Sequence, residues 1–477
     1  MSETNPMKNT RRRFLQLAAV GGLAANANGG TPLAAAETSA GSNLDHILLA
    51  ARRQRSAQFN MCGFALPRME RIRIGIIGIG SRGSGAVNRL RRMEGVELKA
   101  LCDIIPEKVA RAVPRAAEFN HQPTAYTEGE DAWRAICDRS DIDLVYICTP
   151  WALHVPMAVA AMEHGKIAAV EIPVSTTVEG CWQVVETSER TRKPCLMMAN
   201  TTYNDFGLLV LNLIREGYFG DIIHAEGAYI HDRMKVLFKN EVWRVMENIR
   251  KGNLYPTHGL GPICQALKIN RGVRLEHMVS MSSDDFGMLV AARKQAAANP
   301  AFASYAGQTY RGNISTSLIR TSAGQTISLQ HDCTSPRPYS RAQVFSGTRA
   351  FSQQYPLPAR IAVEENWLTD EQFKKLEDRY TPQMVKMMAE TVKRVGGHGG
   401  MDTMMDWRLI DCLRHGLPLD MDVYDAATWS VVGPLSEWSV ANGSKPIEVP
   451  DFTNGAWKKN QPWNPQIAKG AGTTRVA

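Results

Sequence analysis

Ile72-Arg73-Ile74-Gly75-Ile76-Ile77-Gly78-Ile79-Gly80-Ser81-Arg82-Gly83 is the stretch that decides the fold. The apolar run Ile72 to Ile77 reads as a buried strand, and the glycines directly behind it read as a strand-to-helix turn. Gly78 would allow the tight turn, Gly80 would let backbone approach a pyrophosphate, and Gly83 would permit close packing of the next helix. Phosphate would then sit at that helix's N-terminus, beside Ser81 and within reach of Arg82. A second apolar run, Val96 to Cys102, ends at Asp103, near the distance at which an acid meets the ribose hydroxyls of NAD. Turn and acid together favour NAD over NADP, against the alternative of a glycine-rich turn that binds nothing.

Outward from this turn, strand and helix alternate. A helix is expected from about Ser84 to Met93, a strand at Leu98 to Cys102 and a helix after Pro106. Further strands are expected at Leu144 to Cys148, Ala168 to Glu171 and Leu196 to Ala199, with a helical stretch around Pro156 to His164. This is the rhythm of a doubly wound parallel sheet, and it closes near Asn200. Beyond it the strands are longer and more polar, at Ile222 to His231, Ile314 to Thr321, Thr326 to Cys333 and Gln343 to Ser346. They predict an open, largely antiparallel sheet with one face covered. Helices return at Asp370 to Arg394, Met404 to His415 and Val423 to Asn442. The expected fold class is α/β: an N-terminal Rossmann domain at 71–200 and an α+β substrate domain at 201–450. A leader at 1–36, an arm at 37–70 and a tail at 451–477 complete the division.

A chain of 477 residues is long enough for two such domains. The leader holds Lys8, Arg11, Arg12 and Arg13 against Glu3, so the formal +8 of the whole chain becomes +5 without it. No basic block elsewhere suggests nucleic acid. The nine cysteines form no CxxC pair and no metal-ligand spacing, which excludes a zinc site of that kind and gives no disulfide framework. Thr10-Arg11-Arg12-Arg13-Phe14-Leu15 resembles the twin-arginine export signal, and the apolar stretch Phe14 to Ala25 is too short for a stable membrane span. Small residues at Ala34 to Ala36 offer a cleavage site. The expectation is a protein exported folded, with its cofactor, to the periplasm by the twin-arginine machinery.

At Asp143 to Pro173 the chain resembles the glucose-fructose oxidoreductase and inositol dehydrogenase superfamily. The carriers are Asp-Leu-Val-Tyr-Ile-Cys-Thr-Pro, then Trp151 and His154, then Met162-Glu163-His164-Gly165-Lys166, and Glu171-Ile172-Pro173. In that superfamily the Thr-Pro and Glu-Lys-Pro turns line the nicotinamide end of the cofactor, and the lysine commonly serves the substrate hydroxyl. Here Ile172 holds the lysine position, so the cation of an ordinary sugar dehydrogenase is absent. The superfamily's Asp-x-x-x-His would fall on Leu254 and His258, which keeps the histidine and loses the acid. Tyr255-Pro256-Thr257-His258, the Glu-Ile-Pro turn and Gly397 to Asp402 instead resemble glycoside hydrolase family 109, over about Arg71 to Trp438.

That resemblance implies a glycosidase that uses NAD catalytically, with alpha-linked N-acetylgalactosamine as the indicated sugar. Oxidation at carbon 3 would acidify the hydrogen on carbon 2, elimination would expel the glycosidic oxygen, and water addition with re-reduction would complete hydrolysis without paired carboxylates. His258, Tyr255 and Tyr203 are implied as the proton-moving residues, with Tyr203 near carbons 1 and 2. Thr149, Trp151, His154, Glu171, Ile172 and Asn200 would line the cofactor beyond the glycine turn. Arg244, Tyr255, Pro256, Thr257, His258, Tyr203 and Tyr339 would hold the sugar, and His398 would be a cap or a plain loop residue. An NAD-linked sugar oxidoreductase and a non-catalytic exported sugar-binding protein are the other readings. Homo-oligomer formation is left open.

Overall fold

The computed structural model describes residues 44–239 and 242–477, so the leader lies outside the described residues. Six strands form the first sheet: β1 (Ile72–Ile77), β2 (Val96–Cys102), β3 (Thr124–Tyr126), β4 (Leu144–Ile147), β5 (Ile167–Val170) and β6 (Cys195–Met197). They are all parallel, in the order β3-β2-β1-β4-β5-β6. The central strands are apolar apart from Arg73 near the start of β1 because helices cover both faces, as parallel sheets require. The order reverses between β1 and β4, and the crevice beyond the strand ends at that point is where such sheets bind dinucleotides.

The second sheet has nine strands: β7 (Ile222–Ile230), β8 (Leu275–Ser282), β9 (Ile314–Thr321), β10 (Thr326–Asp332), β11 (Ser340–Gly347), β12 (Ala350–Gln353), β13 (Arg360–Val363), β14 (Asn366–Trp367) and β15 (Ile447–Glu448). Their order is β14-β13-β12-β11-β7-β10-β9-β8-β15. All neighbours are antiparallel except β7 and β10. One face carries exposed Met281 and Leu318, while the other is covered by helices.

Two helices join the domains. Val423–Ala441 is buried nearly all round: Ser430 Oγ accepts from Val174 N at 3.1 Å in the first domain, and Ser439 Oγ accepts from Ser280 N at 2.9 Å in the second. Met401–His415 offers Asp406 to Tyr146 Oη at 2.9 Å and to Arg89 Nε at 2.6 Å, both in the first domain. The C-terminus returns to the first domain, where Val476 bridges to Met93 and Ala477 N donates to Arg92 O at 2.8 Å. The helix expected over Asp370 to Arg394 is two helices, Asp370–Tyr380 and Gln383–Val395. Pro382 breaks it, having no N–H to continue the ladder. Among the described residues no helix is long and apolar enough to cross a membrane.

Candidate active site

The glycine turn has the backbone that its sequence demands. Gly78 sits at φ +87, and a Cβ there would stand 2.6 Å from Cys148 O. A Cβ on Gly83 would collide with Gly78 O, whereas one on Gly80 would meet nothing within 4 Å. The helix Ser81–Leu90 therefore starts against an open cradle, and its N-terminus has no side-chain cap. Unpaired N–H groups and a glycine facing open space fit a pyrophosphate. Asp103 follows β2 and is buried; its carboxylate accepts from Ile79 N at 2.8 Å and Ile105 N at 2.9 Å. Carboxylate oxygens accept more than one bond each, so capacity for ribose hydroxyls remains. Lys108, Arg111 and Arg115 face Gly80, Ser81 and Ser84 across a cleft. These three cations were not anticipated, because on a helix they read as an ordinary solvated face.

Arg82, expected on a cofactor phosphate, is directed elsewhere. Its Nε donates to Glu171 at 2.8 Å and its Nη1 to Asp402 at 3.0 Å. Two buried carboxylates attract the guanidinium more strongly than open solvent does. Asp402 also accepts from Asn200 Nδ2 at 2.7 Å and lies 2.8 Å from His398 Nδ1. Burial opposes its charge, yet the His398 bond, Arg82 and Arg89 hold its carboxyl well below the usual range. Asn200 Oδ1 is buried without a partner and suits an amide donor such as the nicotinamide carboxamide.

Trp151 and Thr149 follow β4 as expected, but His154 is a brace. Its Nδ1 lies 2.7 Å from Pro173 O and its Nε2 lies 2.8 Å from Thr149 O, tying the Thr149-Pro150 turn to the turn that contains Ile172. With both ring nitrogens on carbonyls, it has none left for cofactor. Ile172 is buried and apolar where a lysine would have projected.

The second domain brings an aromatic cluster to this edge. The helix Thr257–Ala266 crosses β7 at Gly227 and Gly259, where a Cβ on Gly227 would stand 2.6 Å from Gly259 O. That close approach sets His258 against Tyr229, ring centroids 5.1 Å apart, and beside Tyr255 at 4.9 Å. Tyr255 also meets Tyr229 at 4.6 Å and Trp151 at 5.8 Å, while Arg244 lies 5.4 Å over its ring. Arg244 also stacks on Trp151 at 5.2 Å and Trp243 at 5.0 Å. Tyr339, 40% exposed, closes the cluster 6.4 Å from Tyr229. Thr257 is buried with its hydroxyl unpartnered, and Pro256 occupies the N-cap position.

His258 Nδ1 is buried without a partner. Burial, then Arg341, Arg82, His398 and Arg244, press its pKa well below 6.5, so the ring is neutral at physiological pH. Burial raises the Tyr255 hydroxyl's pKa, and Arg244 opposes that rise by charge and hydrogen bond.

Tyr203 is not with them. Its hydroxyl donates to Asp420 Oδ2 at 3.0 Å, and Asp420 is held by Arg408 at 2.8 and 2.6 Å and by Trp463 Nε1 at 2.9 Å. Burial and the Asp420 carboxylate raise its pKa well above 10, and with its hydroxyl proton committed to Asp420 the role of proton acceptor expected of it does not fit this setting. Tyr229 is a further residue that sequence reasoning missed. Its signal was its place near the C-terminal end of the strand Ile222–Ile230, where it reaches Trp151 of the cofactor domain through Tyr255.

A family model described as "Oxidoreductase family, NAD-binding Rossmann fold" matches residues 72–199, and one described as "Glycosyl hydrolase 109, C-terminal domain" matches residues 203–459. The chain is 45% identical over 416 residues to an alpha-N-acetylgalactosaminidase of Bacteroides fragilis, covering 84% of this chain and 97% of that protein. It is 44% identical over 417 residues to an alpha-N-acetylgalactosaminidase of Shewanella oneidensis, covering 84% and 90%. Among solved structures, levoglucosan dehydrogenase in complex with NADH and levoglucosan is similar with a TM-score of 0.60 at 17% identity, covering 80% of this chain and 99% of that one. At that identity the likeness bears on the fold.

Proposed function

The chain belongs to glycosyl hydrolase family 109, and from that premise we propose that it releases terminal alpha-linked N-acetylgalactosamine by transient oxidation of the sugar. It is a glycosidase with an NAD-binding domain, and both halves of that statement meet at one cluster of side chains. NAD, when bound, supplies reversible hydride acceptance from carbon 3. The chain's own groups move the protons.

His258 carries the proposal: a neutral imidazole with an unpartnered Nδ1 at the edge of the cofactor domain. It takes the proton of the hydroxyl on carbon 3 and returns it at the end. With a ketone at carbon 3, the hydrogen on carbon 2 becomes acidic. Tyr255 takes that proton, with Arg244 offsetting part of the rise that burial imposes on its hydroxyl, and the electron pair expels the glycosidic oxygen from carbon 1. Water then adds a hydroxyl to carbon 1 and a proton to carbon 2. Trp151, Tyr229 and Tyr339 form the apolar wall that the sugar faces. No paired carboxylates are needed.

Turnover of a nitrophenyl glycoside in deuterated water tests this. The released sugar should carry deuterium at carbon 2 and its original hydrogen at carbon 3, without net accumulation of NADH. A sugar lacking deuterium at carbon 2, with activity in cofactor-free protein, would contradict it, and a ketosugar with stoichiometric NADH would mark an oxidoreductase. We also propose delivery to the periplasm by the twin-arginine route, which Thr10 to Leu15 supports.

A further inference from the structure

Arg341 is a charge that the steps above leave unused. It lies on β11, is 2% exposed, and donates from Nη1 to the Met401 sulfur at 3.3 Å and from Nη2 to the Tyr355 hydroxyl at 3.3 Å. Its Nε is buried with no partner. Arg89, Arg271 and Arg408 are comparably buried and each holds an aspartate at 2.6 Å, while Arg311, also without a carboxylate, is met by Asn248 Oδ1 and the carbonyls of Gly312 and Asn313. No carboxylate among the described residues forms an ion pair with Arg341. An unpaired cation inside a protein is costly, and such costs collect where a site needs them.

The backbone is bent to put it there. Ala342 at φ 54 and Gln343 at φ 55 are both left-handed, and the register of β11 against β7 breaks on either side of Ala342. Bulges of this kind re-aim side chains. Met401, which Arg341 touches, precedes Asp402 of the Arg82 network. Tyr355 packs on Tyr339 at 5.7 Å, so Arg341 stands between two walls of the site. Of the charges acting on His258, that of Arg341 is the strongest.

We infer that Arg341 is a catalytic residue that stabilises the oxyanion formed on carbon 3 when carbon 2 loses its proton. The inference rests on the reading proposed above. The C2–H electron pair becomes the C2–C3 double bond, the carbonyl pair moves to oxygen, and the proton passes to Tyr255. The guanidinium donates N–H bonds to that oxygen and keeps its own protons. When carbon 1 expels its oxygen, the charge leaves with it.

Holoenzyme carrying Arg341→Gln or Arg341→Lys tests this, with folding checked by thermal melting and ground-state binding by calorimetry with N-acetylgalactosamine. Arg341→Gln should lower kcat and the rate of carbon-2 exchange by about a hundredfold, with KM and sugar affinity little changed. Arg341→Lys should fall less, and added guanidinium ion should restore part of the Gln variant's exchange but none of the wild type's. If Arg341→Gln does not fold, a selective loss of kcat in Arg341→Lys, with sugar affinity kept, carries the same conclusion. Equal impairment of both variants without rescue, or wild-type exchange in Arg341→Gln, would overturn it. Wild-type protein that never exchanges carbon 2 would remove the underlying reading, and this inference with it.

Discussion

His258 has to accept a proton, and its surroundings decide at which pH it can. Burial strips solvation from the imidazolium, and the nearby cations repel it, so the folded pKa lies below 6.5. The base form consequently persists as the medium is acidified. A plot of kcat/KM should stay level as pH falls through 6.5 and decline only below it, and an acid limb at or above 6.5 would contradict the setting described. His258→Ala should cost about a hundredfold in kcat, the scale of a lost acid or base. Tyr203→Phe should behave differently. It removes one donor from Asp420, which keeps Arg408 and Trp463, so it should cost about 1 kcal/mol in denaturant stability and leave turnover nearly unchanged. A hundredfold loss of turnover in folded Tyr203→Phe would return that residue to the chemistry.

The elements that carry these residues are held by backbone contact. Gly259→Ala would set a methyl 2.5 Å from Ala228 N, so the helix Thr257–Ala266 must lift from β7. A stability loss of about 1–3 kcal/mol is expected, with a fall in kcat as His258 moves, read by melting and steady-state kinetics together. On the other side, Asp103→Ala should weaken NAD retention by about 1.5–3 kcal/mol, measured by titration of the apoprotein. β1 and β2 were legible at the outset because apolar residues dominate both, despite Arg73, Glu97 and Lys99, and because Gly78 and Asp103 punctuate them. Leu275–Ser282 was not: Glu276, His277 and Ser280 interrupt the apolar pattern, and only Ser439 and Ser317, distant in sequence, satisfy Ser280. The same limit hid the site's geometry. Tyr255 and His258 stood out by resemblance, but Tyr229 joins them only through a helix crossing, and Arg341 only through a bulge.

At the scale of the molecule, the two domains share the helices Met401–His415 and Val423–Ala441, and the proposed site lies at their junction. Export should show the same unity. Replacing Arg11 and Arg12 by Lys should leave folded, NAD-loaded enzyme in the cytoplasm, checked by fractionation, and unchanged periplasmic delivery would mean the leader works otherwise. The C-terminus has a bearing on this. Ala477 N bonds Arg92 O at 2.8 Å, Arg475 O accepts from Glu94 N at 2.9 Å, and Thr474 O accepts from Trp407 Nε1 at 2.8 Å. These bonds close the flank of the cofactor domain just past the helix Ser81–Leu90, yet they use residues that lie beyond the second domain in the chain. The cofactor domain is therefore completed by residues that follow the whole second domain in the chain, so its flank closes only once that second domain has been made.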